Sequence, residues 1–363
     1  MNGTGFIRQK LDQRIADNSL RQLIVRKNFV DFCSNDYLGI NTNNLLIDEN
    51  KNVWRHGSGG ARTLSGNYEA IEMAETEIAA FHEADAALIF NSGYTANMGL
   101  MSCLPQRGDT VLYDFLSHAS LRDGIRLSSA TSFSFAHNDI NDLEVKLKNA
   151  KGNKYVVTES LFSMDGDFAP LAEMAEVCER YGAGLIVDEA HATGVIGEKG
   201  EGLVQQLGLQ KRIFARIHTF GKALGAHGAA VLGSTELKNY LINFSRPFIF
   251  TTALPEFTIQ CIRKSYSIFP FMTEQRKRLQ KLIQLFRKTS FAFEKLNSLS
   301  PIQGLVIPGN DQVKSSAAML SVHRLDVRPI LYPTVPKGKE RLRINLHSFN
   351  DEKEVLRLIE LLS

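Results

Sequence analysis

Cysteine is scarce: four thiols, Cys33, Cys103, Cys178 and Cys261, stand far apart in 363 residues, with no CxxC pair and no Cys/His spacing of the metal-binding kind. That excludes a disulfide scaffold and a zinc module, and the thiols read as reduced core residues of a cytoplasmic protein; no metal is expected. Long apolar runs are also missing, since none approaches the ~18–20 residues that span a bilayer, and the first residues, Met1 to Gln13, hold no apolar core of a signal peptide. A membrane role is therefore not expected. Charge of one sign is absent too. With 42 Lys and Arg against 39 Asp and Glu, the formal net charge is +3, which removes a broad electrostatic case for nucleic acid. Small-molecule partners fit better.

What the chain does have is an ordinary globular composition, 44% apolar, and a length that suggests two domains. Residues 69–82 place Ile71, Ala74, Ile78 and Phe81 at helical spacing with glutamates between them, which predicts an amphipathic helix. After it, β-prone runs alternate with helix-compatible ones. "AALIF" precedes "NSGYTANMGLMSCL", "DTVLYD" precedes "FLSHASLRDGIRLS", and "KYVVTES" leads through a loop to "AEMAEVCERYG". "AGLIVDEAH" and "RIFARIHTFGKALG" follow as further strand-to-turn units, the second with its β-prone run at Ile213 to Ile217. Such alternation predicts an α/β fold with a mostly parallel sheet covered on both faces. Beyond about Pro270 the character changes to a long charged helix over 273–296, three strand-like segments and a closing helix, an α+β C-terminal domain.

In open α/β sheets, ligands gather at the carboxyl ends of strands. Four features fall in such places. Gly93 and Tyr94 stand where a strand turns into a helix, whose first N–H groups have no intrahelical partner and can hold a phosphate; a plain turn glycine is the alternative. Asp188 leaves the apolar run "GLIV" and His191 follows three residues later. A carboxylate there needs a partner: the protonated ring nitrogen of a pyridoxal cofactor, or the start of the next helix. His118 lies beyond another strand and is either a structural histidine or a catalyst.

The fourth feature is Lys222, set in "HTFGKALGAHG". A P-loop would need glycine where Arg216 stands and Ser or Thr where Ala223 stands, so that reading fails. Lys222 is then a surface lysine or a lysine that forms a Schiff base with a cofactor aldehyde and serves as a general base. Phosphate turn, pyridinium carboxylate and lysine, in that chain order, favour the second.

At these residues the chain resembles the α-oxoamine synthases, type I fold enzymes that use pyridoxal 5′-phosphate to condense an amino acid with an acyl thioester, releasing carbon dioxide. The motifs are "NDYLG", "GSGGARTLSG", "NSGYTAN", "LSHAS", "TESLFSMDGDFAPL", "VDEAHATGVIGEKGEG", "TFGKALG" and "PTVPKGKERLRINL", from about Asp31 onward. The resemblance implies an N-terminal arm over 1–38, a large cofactor-binding domain over 39–264 built on a seven-stranded sheet, and a small α+β domain over 265–363. It implies that Lys222 binds the cofactor aldehyde, Asp188 pairs with the ring nitrogen, His191 contacts the phenolic oxygen and His118 stacks on the ring. Gly93, Tyr94 and Thr219 would contact the phosphate, joined by Thr251 or Thr252 from the second subunit of a homodimer. Glu159 and Ser163 would line the cofactor pocket, and Asn35 and Arg343 would lie near the substrate carboxylate.

Within the family, "RPFIFTTALP", "HGAAVLGS" and "SPIQ" look most like the branch that joins L-alanine to a pimeloyl thioester. Branches using glycine or serine, or a non-catalytic cofactor-binding protein, are the alternatives. The chain also departs from the family pattern: Ile71 and Ala74 stand where a histidine motif is usual, Glu256 replaces a proline, and Leu331 stands where an arginine is frequent. Those departures leave acyl-chain length and carrier open.

Overall fold

The computed structural model describes residues 3–47 and 54–363. It divides into two compact units: residues 38–163 with 168–276, and residues 1–37 with 164–167 and 277–363.

The first unit is built on seven strands: β1 Ala86–Phe90, β2 Thr110–Asp114, β3 Thr131–Phe135, β4 Lys154–Glu159, β5 Ala183–Asp188, β6 Ala215–Thr219 and β7 Ala229–Gly233. Their order across the sheet is β1-β7-β6-β5-β4-β2-β3. Pairs β2/β3, β2/β4, β4/β5 and β5/β6 are parallel, while β7 runs antiparallel to both its neighbours. The mostly parallel sheet expected from the alternating pattern is therefore present, with one reversed strand. Successive side chains of a strand point to opposite faces. Here both faces are buried: Val111 and Ile186 join a cluster with Leu100, Leu121 and Val231, whereas Leu112, Leu185 and Val187 join one with Phe135, Leu147 and Met174. Continuous apolar runs, rather than apolar–polar alternation, follow from that burial.

The helix Glu69–Phe81 forms as its spacing predicts, burying Ile71, Ala74 and Ile78. Glu75 is buried with them. Its carboxylate accepts from Arg62 at 2.7 Å, Lys238 at 2.8 Å and the Ile89 N–H at 2.9 Å, which offsets the cost of taking a charge from water. Strand β6 begins two residues later than the β-prone run Ile213 to Ile217, and so ends on Thr219.

The second unit carries a four-stranded antiparallel sheet of β8 Glu294–Lys295, β9 Ile302–Val306, β10 Arg328–Ile330 and β11 Arg341–Asn345, in the order β10-β11-β9-β8. Its closing helix, Glu352–Leu362, starts on a reciprocal cap between Asp351 and Glu354. The long helix expected over 273–296 is shorter, Thr273–Lys288. Lys295 returns to donate to the carbonyls of Arg287 and Thr289, both at 2.6 Å, so a cation satisfies the acceptors at the helix end and the chain turns into β8.

The four cysteines are free thiols; Cys103 and Cys178 are buried, but Cys33 and Cys261 are half-buried rather than core. Among the described residues no helix is long and apolar enough to cross a membrane, and no group of three or more His, Cys, Asp or Glu residues is placed to hold a metal.

Candidate active site

In the first unit the carboxyl ends of β1, β4, β5 and β6 present Phe90, Glu159, Asp188 and Thr219. The helix Gly93–Cys103 starts three residues beyond β1 with Ser92 as its cap. The Ser92 hydroxyl accepts from the Thr95 N–H at 3.1 Å, and the Thr95 hydroxyl accepts from the Ser92 N–H at 3.0 Å. A side chain at Gly93 would put its Cβ 2.5 Å from the Thr219 methyl carbon, so only glycine lets the helix start approach the end of β6. The Tyr94 hydroxyl donates to the Asp123 carboxylate.

Asp188 is 5% exposed. Its Oδ1 accepts the Ala190 N–H at 2.8 Å, and its Oδ2 accepts from the Asn97 side chain at 2.7 Å. Asn97 also donates to Ser120 Oγ at 3.0 Å, and Ser120 Oγ lies 2.7 Å from His118 Nδ1. A chain of hydrogen bonds thus joins Asp188 to His118. Because the Ser120 N–H also donates to Nδ1, at 3.2 Å, that nitrogen is an acceptor, which places the proton of a neutral imidazole on Nε2. Desolvation by the surrounding protein, with the Lys222 ammonium nearby, pulls the His118 pKa below the ordinary histidine value, while Asp188 and Asp123 oppose the shift. The histidine nonetheless keeps an exposed face.

Glu159 Oε1 accepts the His118 backbone N–H at 2.7 Å. Burial, and then the Asp188 charge, push the Glu159 carboxyl up to about 8, against the pull of Lys222. Lys222 is half-buried in a turn closed by the Gly225 N–H to its carbonyl at 2.9 Å, and its charge acts on both His118 and Glu159. His191 is buried after β5, Ser163 is half-buried beyond β4, and Thr219 Oγ1 donates to the Ala190 carbonyl at 3.4 Å. Thr251 and Thr252 stand beside Asn91 of the same chain, whose amide donates to Thr251 Oγ1 at 3.4 Å and to the Thr252 carbonyl at 2.9 Å.

The second unit holds the remaining pair. Asn35 Oδ1 accepts from Arg343 at 3.2 Å, Tyr37 at 3.1 Å and Asn345 at 3.2 Å, so Asn35 anchors the guanidinium of β11.

Two residues of the site were not singled out from the sequence, Asn97 and Ser120. The signal for Asn97 was an amide between Ala96 and Met98 in a helix otherwise of small and apolar residues. Of the positions that depart from the family pattern, Ile71 and Ala74 are core residues and Glu256 opens the helix Glu256–Ile268.

A family model, aminotransferase class I and II, matches residues 27–362. The chain belongs to the aminotransferase class I and II family. It is 40% identical to the 8-amino-7-oxononanoate synthase of Lysinibacillus sphaericus over 88% of its own length and 84% of that protein's. Among solved structures, the 8-amino-7-oxononanoate synthase of Francisella tularensis shares 28% identity, covering 92% of this chain and 96% of that one with a TM-score of 0.77. The Sphingomonas wittichii serine palmitoyltransferase shares 26% identity, over 98% and 95% of the two chains, with a TM-score of 0.87. The type I fold of these aldehyde-cofactor enzymes is thus the fold of this chain.

The residues present fit pyridoxal 5′-phosphate. A glycine-cleared helix start beside Thr219 suits a phosphate, the doubly bonded Asp188 carboxylate suits a protonated ring nitrogen, and Lys222 stands within the electrostatic reach of His118 and Glu159.

Proposed function

We propose that the protein is a pyridoxal 5′-phosphate enzyme that condenses L-alanine with a pimeloyl thioester, with loss of carbon dioxide, to give 8-amino-7-oxononanoate for biotin synthesis. The observation that carries this reading is the Asp188–Asn97–Ser120–His118 chain beside Lys222, in a sequence 40% identical to a synthase of that name. When bound, the cofactor supplies an electron sink for charge developing at the amino-acid α-carbon.

The chain's own residues divide the remaining work. The Gly93 and Tyr94 amides with Thr219 would hold the phosphate, while Thr251 and Thr252 would serve the phosphate site of a homodimer. Asp188, its two oxygens fixed by Asn97 and the Ala190 N–H, would keep the ring nitrogen protonated, and His191 would take the phenolic oxygen. Ser163 lines the pocket. Lys222 would hold the cofactor at its aldehyde carbon, and its Nζ, as a free amine, would take the α-proton of the amino acid. His118 Nε2–H donates to the thioester oxygen as negative charge grows there. Glu159, neutral at physiological pH, keeps a second negative charge away from Asp188. Asn35 and Arg343 take the amino-acid carboxylate. The enzyme works in the cytoplasm on small-molecule substrates, with the acyl group carried on coenzyme A or on a carrier protein.

The test begins with borohydride reduction of the purified protein plus cofactor, followed by peptide mass mapping. Modification at Lys222 is expected; modification elsewhere, or none, overturns the assignment. Thiol and carbon dioxide release are then measured for L-alanine, glycine and L-serine with pimeloyl-, acetyl- and palmitoyl-CoA. Alanine with the pimeloyl thioester is the expected best pair. The likeness to serine palmitoyltransferase makes serine with a long acyl chain the second reading, and a preference for that pair would replace the first.

A further inference from the structure

One residue along the strands from Asp188 and Thr219, the side chains turn to the other face of the sheet, as period-2 alternation requires. There Glu189 and His218 are both 0% exposed. Glu189 Oε1 accepts the N–H groups of Leu203 at 2.7 Å and Val204 at 3.1 Å. Among the described residues neither Glu189 Oε2 nor His218 Nε2 has a hydrogen-bond partner, and they face one another at 3.8 Å.

The hydrogen-bond order decides what these two atoms are. The Thr193 hydroxyl spends its one proton on the Glu189 carbonyl at 2.7 Å, so it accepts from His218 Nδ1 at 2.8 Å. Neutral His218 then carries its proton on Nδ1 and aims a lone pair at Glu189 Oε2. An ionised Glu189 would oppose a second lone pair to it, inside the protein, with no water-like medium to weaken the repulsion. We propose that Glu189 is held protonated on Oε2 toward His218 Nε2, and that this buried acid pins the 190–204 segment that borders the cofactor site.

The same segment shows what the pin does. His191 lies near its start. A Cβ at Gly202 would stand 2.5 Å from Glu189 Oε2, and one at Gly194 would stand 2.8 Å from Ala223 Cβ, so the segment lies against Glu189 on one side and against the neighbour of Lys222 on the other. Groups from every packed element bear on the acid. Arg216 of β6 favours its ionised form, as do the Ser160 hydroxyl beyond β4 and the Leu203 and Val204 amides. Burial outweighs them and pushes the carboxyl up to about 7. His82 lies over His218 with ring centroids 3.9 Å apart, and its Nε2 is 3.0 Å from the Tyr266 hydroxyl; burial first, then His82 and Arg216, disfavour an imidazolium at His218, which favours the proton on the carboxyl.

The protonated acid stands independently of the substrate assignment; its consequence for the cofactor rests on the function proposed above. The test is infrared difference spectroscopy of the cofactor-loaded protein near pH 6, comparing wild type with Glu189→Gln and, as control, Glu159→Gln. A protonated-carboxyl band should vanish in Glu189→Gln and persist in Glu159→Gln. Identical carboxyl bands in wild type and a folded Glu189→Gln would overturn the proposal. Carbon-13 labelling of glutamate carboxyls in the wild type answers the same question without a substitution: the Glu189 resonance should titrate near neutrality, and one that titrates as an ordinary glutamate overturns it. For the pin, hydrogen exchange at the Leu203 and Val204 amides, corrected for intrinsic rates, should speed up several-fold in wild type between about pH 6 and 9 and stay level in Glu189→Gln. Equal acceleration in both proteins would overturn the positioning role. None of these readouts needs turnover, so a wrong substrate leaves them unchanged.

Discussion

Asn97 ties Asp188 to the helix that begins after His118: one side-chain amide reaches Asp188 Oδ2 at 2.7 Å and Ser120 Oγ at 3.0 Å. Two residues assigned separate tasks therefore share one buried intermediary. Replacing it by leucine leaves a carboxylate oxygen without its donor, a loss of about 1–3 kcal/mol. Asn97→Leu should lower thermal stability by that order and should also weaken cofactor binding, measured by equilibrium titration. A variant that loses stability but keeps wild-type cofactor affinity would remove Asn97 from the site.

Lys222 is half-buried and belongs to neither apolar cluster of the seven-stranded sheet, so removing its side chain should leave the fold intact. Lys222→Ala is expected to retain the wild-type circular dichroism spectrum and to lose more than ~10³-fold in turnover, the scale of a missing general base and covalent anchor. Turnover within about tenfold of wild type would be incompatible with the proposed mechanism.

Gly93 offers a paired test. Its missing Cβ clears the Thr219 methyl carbon, which a serine at that position would lack. Gly93→Ala should weaken phosphate-dependent cofactor binding by about tenfold, and adding Thr219→Ser should restore much of it, a coupling that a double-mutant cycle measures. Independent, additive losses would mean that the two residues do not meet at the phosphate.

Glu159 makes a pH prediction whose sign follows from linkage. Its folded pKa, about 8, lies above the ordinary glutamate value of 4.5, so the protonated form is favoured by folding. The associated stability is fully present below 4.5 and is lost as pH rises through about 8. Glu159→Gln cannot ionise there. Its stability relative to wild type should therefore rise between those limits in denaturant melts, and a constant difference would contradict the raised pKa.

Arg343 donates to Asn35 Oδ1 at 3.2 Å, and the proposed role gives its guanidinium the amino-acid carboxylate to bind. Arg343→Ala should raise the KM for L-alanine by about 10–100-fold with a smaller change in kcat, and Arg343→Lys should restore little because a lysine has no planar fork. An unchanged KM would assign the carboxylate to other residues.

Much of this protein was determined locally. The strand-and-helix alternation follows from apolar runs and helical spacing, and Lys222, Asp188, His118 and Gly93 stand at strand ends because their motifs place polar residues directly after those runs. What needed the tertiary structure was whatever depends on residues far apart in the chain. The edge strand Thr131–Phe135 is mostly exposed and carries little apolar signal, and the reversed direction of β7 is a matter of pairing. The helix end at Lys288 is stabilised by a lysine seven residues beyond it. Asn97 acquires its role only when two helices bring Ser120 and a strand brings Asp188 to it. Glu189 and His218 look like ordinary polar residues in sequence; Glu189 Oε2 and His218 Nε2 face each other only because the end of β5 and the adjacent β6 bury both residues together, away from water.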